Sequence, residues 1–178
     1  MGILDFLMRI RPASRPAGIL ILGLDNAGKT SILRQFSEEE VSHVTPTQGF
    51  QIKKLITGGI KLNVWDMGGQ RATRYYWRQY FKEADVVIYV VDAADTRRIR
   101  EAQKELEHLL EEEKVAGVPM LVFANKQDLL GALSAEELTV ALNLADLRDR
   151  RWHIQACSAK TGEGLDEGIS WAVRQVKK

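Results

Sequence analysis

Between Gly23 and Thr30 the chain reads GLDNAGKT. The glycines, the lysine and the hydroxyl residue fit the spacing G-x-x-x-x-G-K-[ST], in which a curled backbone and the following helix N-terminus turn N–H groups toward an anion. In that pattern Asp25, Asn26, Ala27, Gly28, Lys29, Thr30 and Ser31 surround a bound phosphate chain. Lys29 reaches the β- and γ-phosphates, and Thr30 offers its hydroxyl to Mg²⁺, a cation that prefers oxygen ligands and shares its shell with phosphates. The turn therefore holds a triphosphate rather than merely joining a strand to a helix.

A phosphate loop leaves ATPases, nucleotide kinases and GTPases open, so the base must be read elsewhere. The run ANKQD follows an apolar stretch, placing Asn125, Lys126 and Asp128 at a strand's carboxyl end. The Asp128 carboxylate suits two donors, the N1–H and exocyclic amine of guanine, and adenine offers no such pair. A site built that way discriminates by roughly 10⁴-fold or more, because the wrong base leaves buried partners unpaired. Lys126 lies along the base, and CSAK supplies backbone donors at Ser158, Ala159 and Lys160 for the guanine oxygen.

The run VWDMGGQ carries the remaining chemistry. Asp66 is placed to hold Mg²⁺ through water, the Gly69 N–H to meet the γ-phosphate, and Gln70 to orient the attacking water. In HVTPTQGF, Thr47 precedes an extended run, with a hydroxyl for Mg²⁺ and an N–H for the γ-phosphate. Metal contacts are thus assigned to Thr30, Thr47 and, through water, Asp66, and the catalytic role to Gln70.

The elements that position these residues can be read from hydrophobic pattern. Short apolar runs recur at 18–23, 61–66, 85–92, 118–125 and 152–158, with the length and β-branched content of buried strands. Helical spacing fills most gaps: Ile99, Leu106, Leu109 and Leu110 fall near one face, and Ser134 stands three residues before Glu137 as a capping box. Such alternation predicts a mainly parallel sheet covered on both faces. Only Thr57-Gly58-Gly59 separates two extended runs, which predicts an antiparallel hairpin at the sheet edge. Ligands of such sheets sit beyond the strands' carboxyl ends, where all the motifs above fall.

At 178 residues, with 45% hydrophobic residues and a net charge of +1, the chain reads as one globular domain without an electrostatic bias toward nucleic acid. The single Cys157 excludes an internal disulfide and fits a reducing compartment, so a cytoplasmic location is expected. No apolar run reaches the ~20 residues of a membrane span, and no signal peptide is evident.

Taken together, GLDNAGKT, TPTQGF, WDMGGQR, NKQD and CSA resemble the ADP-ribosylation factor branch of the Ras-like small GTPases over nearly the whole chain. VSHVTPTQGF, KLNVWDMGGQR, LLEEEK, FANKQDLL and CSAKTGEG are most similar to the third type of Arf-like protein, a ciliary branch that releases lipid-modified cargo. The second type, with tubulin-folding and cargo roles, is the competitor. The resemblance implies a three-layer P-loop GTPase fold with a mostly parallel six-stranded sheet, one antiparallel edge hairpin and helices on both faces. It implies GTP/GDP and Mg²⁺ as ligands, and a switch in which the hairpin between Thr47 and Asp66 shifts register. Phe50, Trp65 and Tyr80 match the family's effector-contacting aromatics. Implied partners are an activating protein, an exchange factor, and carriers of lipidated cargo that fold as immunoglobulin sandwiches, the chain itself being monomeric. Val44 stands where heterotrimeric G-protein α subunits carry an arginine, so slow intrinsic hydrolysis and an arginine supplied by the activator are expected.

Residues 1–16 form a segment apart from the GTPase domain at 17–178. Ile3, Leu4, Phe6, Leu7, Met8 and Ile10, with Arg9, Arg11 and Arg15 nearby, suggest a short amphipathic helix ended by Pro12 and Pro16, suited to weak or state-dependent membrane or partner contact. Gly2 follows the initiator, yet Phe6 stands where the myristoylation pattern requires a hydroxyl residue, which counts against acylation. The end RQVKK has no prenylation box.

Overall fold

The structure, a computed structural model, describes residues 16–36, 42–44, 50–57 and 60–176, with backbone only at 42–44, 50–57 and 60–62. The expected amphipathic N-terminal helix, Thr47 and the tip of the 57–59 turn lie outside the described residues.

Among the described residues seven strands form one sheet: β1 (Ala17–Gly23), β2 (Ser42–Val44), β3 (Phe50–Thr57), β4 (Ile60–Met67), β5 (Val86–Asp92), β6 (Met120–Asn125) and β7 (Trp152–Ala156), in the order β2-β3-β4-β1-β5-β6-β7. β1 pairs in parallel with β4 and β5, and β5, β6 and β7 continue in parallel. β3 runs antiparallel to β4 and β2 antiparallel to β3. The mostly parallel sheet agrees with the sequence pattern. The count differs by one, because β2 is three residues long and so short a run carries no readable alternation.

Four α-helices and one long 3₁₀ helix cover the sheet: α1 (Lys29–Phe36), the 3₁₀ helix Arg74–Glu83, α2 (Ile99–Glu111), α3 (Ala135–Ala141) and α4 (Leu165–Gln175). Side chains alternate across each strand, and this period of two divides the core into two layers. Leu20, Leu22, Val87, Tyr89 and Val122 pack with Trp77 and Phe81 of the 3₁₀ helix and with Ile99, Ala102, Leu106 and Leu109 of α2. Ile19, Ile21, Ile88, Val90, Leu121 and Phe123 pack on the other face with Ile32 and Leu33 of α1 and Leu165, Ala172 and Val173 of α4. Strands buried on both faces explain the near-continuous apolar runs in the sequence.

Local chemistry fixes the helix ends. The capping box is present: the Glu137 N–H donates to Ser134 Oγ at 3.1 Å, and the Ser134 N–H donates to Glu137 Oε2 at 2.9 Å. Gly18 admits no side chain, since a Cβ there would collide with the Glu83 carbonyl at the end of the 3₁₀ helix. The five parallel strands end on one edge, at Gly23, Met67, Asp92, Asn125 and Ala156. Every described motif residue gathers along it.

Candidate functional site

The phosphate loop leaves β1 at Gly23 and enters α1 at Lys29 through two left-handed residues, Asn26 with φ 61° and Gly28 with φ 102°. At Gly28 the freedom is steric as well, because a Cβ would strike the Asn125 amide. Lys29 is buried, and its Nζ donates to the Gly23 carbonyl at 2.9 Å and the Leu24 carbonyl at 2.7 Å. Burial lowers its pKa to about 8, partly opposed by the carboxylates of Asp66 and Asp25. Thr30 Oγ1 donates to Asp66 Oδ2 at 2.7 Å, so the hydroxyl of the loop and the carboxylate at the end of β4 stand as one pair of hard oxygen donors. That donor set, beside a buried ammonium, fits Mg²⁺ and the phosphates it bridges.

The segment after β4 folds over this loop. Gly69 lies so close to it that a Cβ would meet the Gly23 carbonyl, the Leu24 carbonyl carbon and the Asp25 nitrogen. Three side chains from the following turn hold the segment's own carbonyls. Trp77 Nε1 donates to the Gly68 carbonyl at 2.9 Å, Thr73 Oγ1 donates to the same oxygen at 3.0 Å, and Arg74 Nε donates to the Gly69 carbonyl at 2.9 Å. Gln70 is exposed, and its carbonyl accepts from the N–H groups of Thr73 and Arg74.

Arg74 and Arg98 tie this segment, the phosphate loop and α2 together. The buried Arg74 donates to Glu105 Oε1 at 3.0 Å and Glu101 Oε1 at 2.8 Å. Arg98 donates to Glu101 Oε2 at 2.9 Å, to Asp25 Oδ1 at 2.8 Å and to the Asp25 carbonyl at 3.2 Å. These bonds hold Glu101 at a pKa of about 2, with the Arg98 bond the largest cause and the Arg74 bond next, and they lower the Asp25 carboxyl as well. The sequence reading placed Asp25 at the phosphates and missed both arginines. The Arg98 to Glu101 spacing was a visible i, i+3 signal, but the link from Arg98 to Asp25 spans 73 positions and only the sheet brings them together.

The proposed base side is built from side-chain amide and hydroxyl hydrogen bonds and one ion pair. Asn125 Nδ2 donates to the Ala27 carbonyl at 2.9 Å, and Asn125 Oδ1 accepts from the Ala159 N–H at 3.0 Å. Ser158 Oγ donates to Asp128 Oδ1 at 2.7 Å and accepts from the Thr161 N–H at 3.2 Å, which orients the carboxylate. Lys126, left-handed at φ 67°, pairs its Nζ with Asp92 Oδ2 at 2.8 Å. Asp92 is a third residue the motifs did not announce. The site opens into a cavity of about 500 Å³ lined by Gly28, Ser31, Asn125, Lys126, Asp128, Ala159 and Lys160, among others. Beneath it Cys157 is buried 3.6 Å from Asn125 Oδ1, and burial pushes its thiol up to about 12.

Two sequence expectations need correction. Of three backbone donors assigned to the guanine oxygen, Ser158 N–H donates to the Glu163 carbonyl and Ala159 N–H to Asn125. The protein satisfies these buried backbone donors itself, one within the 158–164 turn and one through Asn125, as buried backbone must be. Trp65, matched to an effector-contacting aromatic, is only 8% exposed and packs in the core with Leu20 and Trp77. Tyr80 is half-buried against the same cluster, and the Phe50 side chain lies outside the described residues.

Comparison with known proteins agrees with this geometry. The profile of the ADP-ribosylation factor family matches residues 3–176. ADP-ribosylation factor-like protein 3 of Chlamydomonas reinhardtii is 55% identical over 99% of this chain and 100% of its own length. The protein of the same name from Caenorhabditis elegans is 54% identical over 99% and 97%. ADP-ribosylation factor-like protein 2 of Dictyostelium discoideum is 51% identical over 99% and 96%. Among solved structures, the Arl6 BBS3 small GTPase of Trypanosoma brucei with bound nucleotide analogue GppNp superposes with a TM-score of 0.82 at 34% identity, covering 91% of this chain and 98% of that one. A phosphate loop, an Asn125–Asp128 base pocket and a Gly69 segment folded over the loop, together with these matches, place the chain in the ADP-ribosylation factor family of small GTPases, which bind GTP and GDP with Mg²⁺ and hydrolyse GTP.

Proposed function

We propose that this GTPase is a switch whose GTP form captures carriers of lipid-modified cargo and makes them release it. Family membership brings regulators and effectors as a class. Their identity is inferred from the 55% and 54% identity to proteins named ADP-ribosylation factor-like protein 3. The 51% identity to a relative of the second type keeps a role in tubulin folding as the alternative reading. The observation that carries the switch itself is the packing of Gly69 on the phosphate loop, because a segment pressed there must register whether a terminal phosphate is present.

In this reading Asn26, Ala27, Gly28 and Ser31 surround the phosphates and Lys29 exchanges its carbonyl partners for β- and γ-phosphate oxygens. Asp25 stands at the loop's outer rim, facing Arg98. Thr30, Thr47 and, through water, Asp66 would hold Mg²⁺, which would supply positive charge against that of the phosphates. The Gly69 N–H meets the terminal phosphate, and Gln70 orients the water that attacks it. Asp128 accepts from guanine while Asn125 and the Lys126 stem frame the base. Lys160 provides the principal backbone donor to the guanine oxygen, with the Ala159 N–H shared and Ser158 steering Asp128. With Val44 in place of an internal arginine, intrinsic turnover is slow and an activator's arginine contributes about 10³–10⁵ in rate.

Residues 1–16 act as a docking helix outside the 17–178 GTPase domain, meeting membrane or partner in the GTP form. Among the described residues no helix is long and apolar enough to cross a membrane. A ciliary site of action follows from the cargo reading. The test is release of a fluorescent farnesylated peptide from an immunoglobulin-sandwich carrier on adding the protein loaded with GppNp or GDP. Release by the GppNp form alone is expected. Equal release by both forms, or by neither, overturns the cargo reading.

A further inference from the structure

We infer that Trp77 is a positioning residue for recognition of the terminal phosphate, acting through the Gly68–Gly69 peptide. The inference rests on the assignment of the Gly69 N–H to that phosphate and adds what aims it. A trans peptide is planar, so its C=O and N–H point in opposite directions, and the chain contains no cis peptide among the described residues. The Gly68 oxygen accepts from Trp77 Nε1 at 2.9 Å and Thr73 Oγ1 at 3.0 Å. The indole fixes that oxygen, while the Thr73 hydroxyl divides its single proton between it and the Gln70 carbonyl at 2.8 Å, and a fixed oxygen fixes the opposite side of the plane, where Gly69 carries its N–H.

The anchor is rigid where a glycine pair is not. Gly68 and Gly69 have no side chains with which to hold their own orientation. Trp77 is 4% exposed, set in the core beside Trp65, Phe81 and Leu22, so its indole N–H projects from a fixed ring. Burial alone would account for an aromatic residue here, but a phenyl ring would fill most of the same volume. What the indole adds is a donor, and that donor is directed at the carbonyl of the peptide that carries the Gly69 N–H, in a residue packed against the phosphate loop. The Thr73 hydroxyl also reaches the Gln70 carbonyl, and Arg74 holds that of Gly69, so both steer Gln70.

The test is Trp77→Phe in the full chain, with Trp77 replaced by 3-benzothienylalanine as the isostere that keeps the ring and lacks the N–H. The isosteric variant is expected to bind GDP as the parent does and to lose roughly three- to tenfold in GppNp affinity, the scale of one hydrogen bond. The ³¹P resonance of the bound γ-phosphate should shift or broaden while the α-phosphate resonance stays. Equal weakening of GDP and GppNp by both variants would show a packing role only and overturn the inference. So would an unchanged GppNp-to-GDP affinity ratio with an unchanged γ-phosphate resonance. A parent chain that binds no guanine nucleotide would instead overturn the nucleotide site itself, which separates the two failures.

Discussion

The two ends of the nucleotide site are held together by different forces. On the proposed base side the side chains of Asn125, Asp128 and Ser158 are bonded to one another's loops, Asn125 to the Ala27 carbonyl and the Ala159 N–H and Ser158 to Asp128, so the Asp128 carboxylate is already oriented. On the phosphate side the groups that should grip the ligand grip the protein: Lys29 caps the carbonyls of its own loop, and Thr30 donates to Asp66. In the proposed site the acceptor at the base end, the Asp128 carboxylate, is held in place before any ligand arrives, which favours selectivity. The phosphate end must trade partners on binding, and a group that trades partners can report which phosphate has arrived. Discrimination and response are therefore divided along one sheet edge.

Variants can break that division. The largest effect is expected at Asp128→Asn, which replaces an acceptor by a donor and should lower GTP and GDP affinity alike by about 10³–10⁴-fold. Competition binding against a xanthosine nucleotide checks it, since the 2-oxo group of xanthine complements the new amide. Gln70→Leu should do the reverse, leaving both affinities near parental while single-turnover hydrolysis slows by roughly 10²–10⁴-fold. If hydrolysis stayed unchanged, Gln70 would have no part in orienting water.

Asn125→Ala sharpens the comparison because Asn125 bridges the ends. It would leave the Ala27 carbonyl and the Ala159 N–H without their side-chain partner, costing about 1–3 kcal/mol per unsatisfied group. Denaturant unfolding and the dissociation rate of a fluorescent GDP should both register it. An effect on dissociation without one on stability would mean that the two ends are independent.

The smallest effect is expected at Glu101→Gln, at most ~1 kcal/mol, because the carboxylate is partly exposed and its ion pairs are screened. Its sign can be followed with pH. The folded-state pKa is depressed to about 2 from 4.5, so the carboxylate's contribution is complete above the unfolded value and fades as pH falls toward 2. Melting temperatures of the parent and the variant should differ at pH 7 and converge below pH 4. A gap that widened in acid would contradict the network.

The parts legible in the sequence are those whose chemistry sits in consecutive residues. GLDNAGKT, NKQD and WDMGGQ each announce themselves because a tight turn needs its glycines and its ligating side chains within a few positions. The strands were readable because burial on both faces leaves apolar runs. The Asp25–Arg98–Glu101–Arg74 network was not, since its members come from three separate segments and each looks like an ordinary surface charge alone. Nor could the sequence reveal that the Ser158 N–H closes the 158–164 turn and the Ala159 N–H donates to Asn125, because backbone donors carry no residue signature. Trp65 shows the opposite failure: a family role was legible, but in this conformation packing takes the side chain inward.

The lone thiol has a practical corollary. Cys157 is the single cysteine of the chain, and its depth and weak acidity leave very little thiolate at neutral pH. Maleimides and mild oxidants should pass it by in the folded protein. A cysteine introduced at exposed Arg71 or Tyr75 would then take up dye alone, so the movement of this segment could be watched optically without first mutating the native background.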